Sequence, residues 1–251
     1  MKVELSDEAL AYGDTVRRAL DTAGGDELVR RDDLVVTVLA ALGAGDLDPR
    51  GGGDEAEAAA ALCRNAGWWA LPYPATEQLA WPVDLDVDEA GQRDAALGLV
   101  LGCWTLLGML DRAVVLTGDY VRERRQFGQP LASFQGVQFQ LTEAEVERAG
   151  VEELAKHALW SVTTQPPHDG FADALALRLA AIEAAEVVFR IAHQLHGAIG
   201  FCDETTLSWL SRASQPLRRQ PLGLSATRDR LVRHIGRRGL AGLFDELVAP
   251  G

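Results

Sequence analysis

The chain has 251 residues, a formal net charge of −13, and 47% hydrophobic against 24% charged residues. That length holds one large domain or two small ones, and the composition is that of an ordinary globular protein, which excludes disordered, collagen-like and disulfide-rich classes. So acidic a surface repels phosphate, so general affinity for nucleic acid or for anionic membrane is excluded and any basic chemistry must be local.

Cys63, Cys103 and Cys202 are odd in number and far apart. They fit neither a disulfide framework nor a CxxC metal site, which implies a reducing compartment. The N-terminus shows no basic start followed by an apolar run, so no secretory signal is visible and the expected location is the cytoplasm.

In chain order, Ser6 followed by Asp7 and Glu8 reads as an N-cap with acidic residues in the first turn. It predicts a first helix over about 6–22, ended by Gly24 and Gly25. A second helix fits 30–45, before the breaker-rich GDLDPRGGGD, and a third fits 55–71. Between 71 and 92, three prolines and an acidic cluster interrupt every helical period. The predicted organisation is therefore an N-terminal helical domain over 1–82, a linker over 83–92 and a C-terminal helical domain over 93–251.

The run AALGLVLGCWTLLGML at 95–110 lies between Asp94 and Asp111. It falls short of the ~18 uncharged residues of a spanning helix and reads as a buried core helix. The helix that contains it is expected from about 92 to Gly128-Gln129-Pro130. Another begins after Ser133 and runs past Trp160 to QPPHDG, and a third covers Phe171 to His196. HGAIG breaks it, DETTLSWLSR forms a short helix, and a basic amphipathic helix fits 225–246. Three long helices with short breaks predict an antiparallel bundle, and alternating β-branched residues are scarce, so the fold class is all-α.

The stretch GDYVRERRQFGQPLASFQ concentrates Arg122, Arg124 and Arg125 beside Phe127 and Gly128, and Phe134 and Gln135 open the next helix. Cations in a last helical turn offset the helix dipole, Gly128 can take a left-handed cap and Pro130 prevents continuation. Arg124 and Phe127 lie three apart on one helical face. Cation, aromatic and amide then converge at one corner, a set that suits an anionic, planar-ringed ligand such as a dinucleotide.

These residues resemble the acyl-CoA dehydrogenase family, whose C-terminal helical domain carries a helix ending RxxFG and then an FQ that opens the next helix. A second element of the resemblance is QLHGAIGFCDETTLSWLSR, with Gln194, Gly197, Gly200, Glu204 and Arg212. LCRNAGWWALPYPATEQLAW is similar, more loosely, to the family's exit from its N-terminal helical domain. The resemblance implies FAD at a subunit interface, with the flavin ring held in one subunit and the ADP end by the neighbour's C-terminal helices. On that basis Arg124 meets the pyrophosphate with Phe127, Gly128, Phe134 and Gln135 beside it. Gln194, Gly197 and Gly200 meet the ADP moiety through amides and close backbone approach.

Against the family pattern, the middle β-domain is reduced to AWPVDLDVDEAGQ. The catalytic base is missing as well. Dehydrogenation needs a carboxylate to take the α-proton while the β-hydrogen leaves as hydride to flavin. The glutamate expected about nine residues after Arg212 falls on Gln220 or Pro221, and the alternative early in the long helix falls near Gly98. No catalytic residue is assigned, with Asp94 as the only fallback.

The resemblance therefore implies a non-catalytic subunit of a heteromeric acyl-CoA dehydrogenase. Its expected partner is a full-length subunit that brings the glutamate and the acyl-CoA, as in actinobacterial α2β2 enzymes acting on steroid-side-chain CoA thioesters. A flavin-free helical scaffold and a minimal homo-oligomeric dehydrogenase stay open as alternatives. No metal is expected: His193 and His196 stand three apart in HQLH, but no Glu-x-x-His partner set accompanies them, and they read as core or cap histidines. The arginines of the last helix read as a solvated face over an apolar stripe, and Trp68 and Trp69 as packing residues.

Overall fold

The computed structural model describes residues 4–26, 32–71 and 84–236. The proline-rich boundary at 72–83 and the predicted continuation of the last helix beyond 236 lie outside the described residues.

Helix α1 spans Asp7–Ala23, and the Ser6 hydroxyl accepts from the Ala9 N–H at 3.3 Å, as the capping pattern required. Its buried stripe of Ala9, Gly13, Val16 and Leu20 keeps helical spacing and faces α3. Next come α2 at Asp32–Ala41 and α3 at Gly53–Trp68. Then α4 spans Gln92–Glu123, α5 Gln135–Thr164 and α6 Pro167–His196. α7 covers Thr206–Arg219 and α8 Leu224–Ile235. α4, α5 and α6 reverse direction at short connections and pack on one another as the predicted antiparallel bundle.

Every residue of α4 from Ala95 to Asp111 is buried. Its most apolar 18-residue window has a mean hydropathy of 1.7, which would by itself suit a membrane span, but 78% of that window is buried inside the protein, as in a central core helix. α3 lies across α4 at a glycine crossing. A Cβ on Gly67 would collide with the Thr105 carbonyl, and one on Gly108 with the Arg64 carbonyl. Backbone therefore rests on backbone there; the larger hydrophobic cluster runs from Ala9 of α1 and from α3 through the bundle to α7, and a second one gathers Val16, Leu20, Leu39, Leu62 and Trp69.

An ion cluster ties α3, α4 and α5 together. Arg64 donates to Asp111 at 2.7 Å and to Glu152 at 2.8 Å, while Arg148 reaches Asp111 at 3.1 Å and Glu152 at 2.7 Å. Burial alone would raise the Glu152 carboxyl, but the hydrogen bonds and charges of Arg64 and Arg148 outweigh it and hold it at about 2.

Three sequence expectations need correction. α6 begins at Pro167 rather than Phe171, because proline is pre-shaped for a first helical turn where its missing N–H costs nothing. α7 runs on to Arg219, with Pro216 opening its last turn. The third concerns α4, which ends at Glu123 and not at 128–130; the residues that follow form a miniature hairpin.

Candidate functional site

Arg124 caps α4 in extended conformation, its N–H bonded to the Tyr120 carbonyl at 2.8 Å. The two-residue strands β1 (Arg125–Gln126) and β2 (Gln129–Pro130) then pair antiparallel, Arg125 with Pro130 and Gln126 with Gln129. Between them stand Phe127 at φ 52° and Gly128 at φ 83°. Positive φ at both central residues is the type I′ turn that matches strand twist, which explains the glycine. It also means that Arg124 and Phe127 do not share a helical face as the sequence suggested. Phe127 is held out at the hairpin tip, 91% exposed in a left-handed conformation that a bulky residue seldom adopts, and Phe134 meets it edge-on at 6.2 Å.

Three arginines crowd the corner and two of them are engaged. Arg122 pairs with Asp119 at 2.7 Å, and Arg125 donates to the Gly128 carbonyl at 3.0 Å. Among the described residues the Arg124 guanidinium makes no hydrogen bond or ion pair, and it is exposed. Gln135, the first residue of α5 and the neighbour of Phe134 in sequence, is exposed as well.

The second predicted element lies at the C-terminal end of α6. Because α5 reverses the chain and α6 reverses it again, this end is on the same side of the bundle as the end of α4. The Tyr120 ring joins them by stacking on His196 at 4.4 Å. Gln194 and Gly197 are exposed. Gly197 has φ 66° and ψ −147°, and no atom lies within 4 Å of the place its Cβ would take. Only backbone conformation demands glycine there. Gly200 is different: it is buried, and a Cβ would press on His196 at 2.9 Å and on the His193 ring nitrogen at 3.3 Å. Its missing side chain makes room inside the turn rather than for a ligand outside it.

At the position where the resemblance places a catalytic glutamate, the chain is held by an unexpected residue. Arg178, 2% exposed on α6, donates to the carbonyls of Leu217 at 3.0 Å and of Gln220 and Leu222 at 2.6 Å each. The guanidinium thus organises the loop through backbone oxygens. Asp94 sits half-exposed in the first turn of α4 and pairs with Arg50 at 3.0 Å. Thirty residues of helix place it ~45 Å from Arg124. Among the described residues no three His, Cys, Asp or Glu side chains come together to hold a metal.

Residues 99–220 match the family described as acyl-CoA dehydrogenase, C-terminal domain. The chain carries an acyl-CoA dehydrogenase C-terminal domain. That acyl-CoA dehydrogenase domain contains every predicted cofactor residue from Arg124 to Gly200, while Asp94 precedes it. Over 118 residues the chain is 34% identical to acyl-CoA dehydrogenase FadE28 of Mycobacterium tuberculosis, a match covering 47% of this chain and 34% of that one. The chain thus spans about a quarter to a third of the curated acyl-CoA dehydrogenases and related enzymes it matches first.

Its fold resembles a chain of the ChsE4–ChsE5 complex from Mycobacterium tuberculosis, with a TM-score of 0.75 and 16% identity over 94% of this chain and 99% of that chain. It also resembles a chain of the Tcur3481–Tcur3483 steroid ACAD G363A variant, with a TM-score of 0.77, 17% identity and the same two coverages. At such identities the likeness is one of fold, and it extends beyond the acyl-CoA dehydrogenase domain to the N-terminal helices.

Proposed function

We propose that this chain is a cytoplasmic subunit of a heteromeric FAD-dependent acyl-CoA dehydrogenase. It supplies the ADP–pyrophosphate half of an interfacial FAD site to a full-length partner that holds the flavin ring, the acyl-CoA and the catalytic glutamate. The observation that carries this reading is the Arg124 guanidinium, without a partner among the described residues and set at the base of a preformed hairpin while its two neighbouring arginines are engaged.

The residues present fit the nucleotide end of FAD and not its ring end. Arg124 offers a charge-assisted contact to a diphosphate, Phe127 and Phe134 offer ring surfaces, and Gln135 and Gln194 offer exposed amides. No acid stands at Gln220 or Pro221 to take an α-proton. When bound, the flavin accepts the hydride that leaves the β-carbon. The solved structures of similar fold support a heteromeric reading, since one is a ChsE4–ChsE5 complex and the other a Tcur3481–Tcur3483 steroid ACAD. Steroid CoA thioesters are accordingly the proposed substrate class.

Expression alone and with a full-length acyl-CoA dehydrogenase tests the reading. The isolated chain should be colourless, and the co-purified complex should be yellow and active. A complex without flavin would instead favour a scaffold role, and turnover by the isolated chain a minimal homo-oligomer using Asp94.

A further inference from the structure

The paired histidines of HQLH take no part in the site as described, yet each ring holds one half of it. His196, buried in the last turn of α6, stacks on Tyr120 at 4.4 Å, and the peptide N–H of Arg124 bonds to the carbonyl of that same Tyr120. His193 stacks on Phe201 at 4.3 Å, 13° from parallel, at the end of the 3-10 turn Gly197–Phe201. Gly200 is small because these two side chains occupy the space behind it. Gln194 lies between them in sequence. Resting on the cofactor reading above, we propose that His193 and His196 are positioning residues that form a proton-sensitive clasp: while both imidazoles are neutral they hold the Arg124 hairpin and the glycine turn in register, and protonation in mild acid opens the site.

The surroundings give the direction. His196 Nδ1 donates to the Ala192 carbonyl at 2.8 Å, and no carboxylate bonds to either ring among the described residues. Against the pair lie Tyr120 on α4, whose carbonyl holds the Arg124 N–H, and Phe201 at the end of the turn, while the carboxylate of Asp203 two residues on is engaged by Arg212 of α7 at 2.6 Å. On α6 itself Arg190 is paired with Glu143 of α5. The end of a helix favours a cation, but burial disfavours it. Burial prevails at both rings, and at His193 the neighbouring His196 adds to it, so each lies below the ordinary 6.5. A group whose folded value is lowered binds protons more readily once released. The clasp is therefore fully closed above 6.5 and loses stability as pH falls below it.

Hydrogen exchange of the full chain, corrected for intrinsic rates, tests this at about pH 7.5 and about pH 5.5. In the wild type, protection of 119–131 and 197–205 should fall several-fold at the lower pH relative to α5. The variant His193→Phe/His196→Phe keeps both ring stacks without a titrating proton and should hold its protection at both. Equal protection in the wild type at both values, or an equal loss in the double variant, overturns the clasp. Should the double variant fold poorly, ring-proton NMR of the wild type decides the matter: both imidazoles titrating at or above the ordinary value overturns it. ADP as a probe separates this from the cofactor reading. With the co-purified complex stripped of flavin, a pH effect without protection by ADP leaves the clasp standing and removes the nucleotide site, whereas protection by ADP that is the same at both pH values does the reverse.

Discussion

Arg124 is singled out for the proposed site by exclusion. Arg122 and Arg125 differ from it in neither chemistry nor sequence neighbourhood, but Asp119 and the Gly128 carbonyl engage them. Since Arg124 is exposed and unpaired among the described residues, Arg124→Ala should leave the fold of the chain intact. The loss of a charge-assisted contact costs ~1.5–3 kcal/mol, so FAD affinity of the complex should weaken roughly ten- to a hundredfold. Flavin absorbance per complex after dilution measures it. Retention equal to wild type would remove Arg124 from the site.

Helix α4 carries both the site and its connection to the N-terminal helices, and its glycines have opposite roles. At Gly108 a Cβ meets the Arg64 backbone of α3, whereas at Gly118 it meets only the Arg122 side chain, no closer than 3.6 Å. Gly108→Ala must push two helices apart, which overpacking data put at ~1–3 kcal/mol and hence roughly 2–12 °C in melting temperature. Gly118→Ala should be neutral or raise stability by ~0.5–1 kcal/mol, because alanine is the better helix former. Thermal denaturation of the two variants side by side checks this. Equal effects would mean that the crossing at Gly108 does not limit how closely α3 and α4 pack.

At the scale of the molecule, the cluster of Arg64, Asp111, Arg148 and Glu152 joins helices α3, α4 and α5. Glu152 is held at about 2 against an ordinary 4.5. Its carboxylate therefore stabilises the fold fully above pH 4.5, and that contribution is lost as pH falls through about 2. Glu152→Gln should destabilise the protein at neutral pH, because Arg64 and Arg148 lose a charged acceptor in a partly buried place. The gap between wild type and variant should close between pH 4.5 and about 2, as measured by denaturant unfolding across that range. A gap that stays constant would show that Glu152 is not the group titrating there.

Much of this architecture could be read from local pattern. Ser6 with its acidic first turn, the apolar run bracketed by Asp94 and Asp111, and the HGAIG break each specify a helix or its end through near neighbours, so they survive without tertiary context. RxxFG followed by FQ, and QLHGAIG, suggested a cofactor site through their resemblance, in order and spacing, to the acyl-CoA dehydrogenase family. Other features depend on partners far along the chain. That Phe127 and Gly128 turn a hairpin rather than finish a helix, that Arg178 on α6 fixes the carbonyls of a loop about forty residues later, and that Gly200 opens inward onto two histidines cannot be written in a short-range periodicity. Sequence by itself determined which residues make helices and which chemistry gathers at their ends, because caps and spacings act within a few residues. Only the packing of α6 beside α4, with Tyr120 laid on His196, decided that the two separated elements share one end of the bundle, since ring contacts form only after the chain has reversed twice.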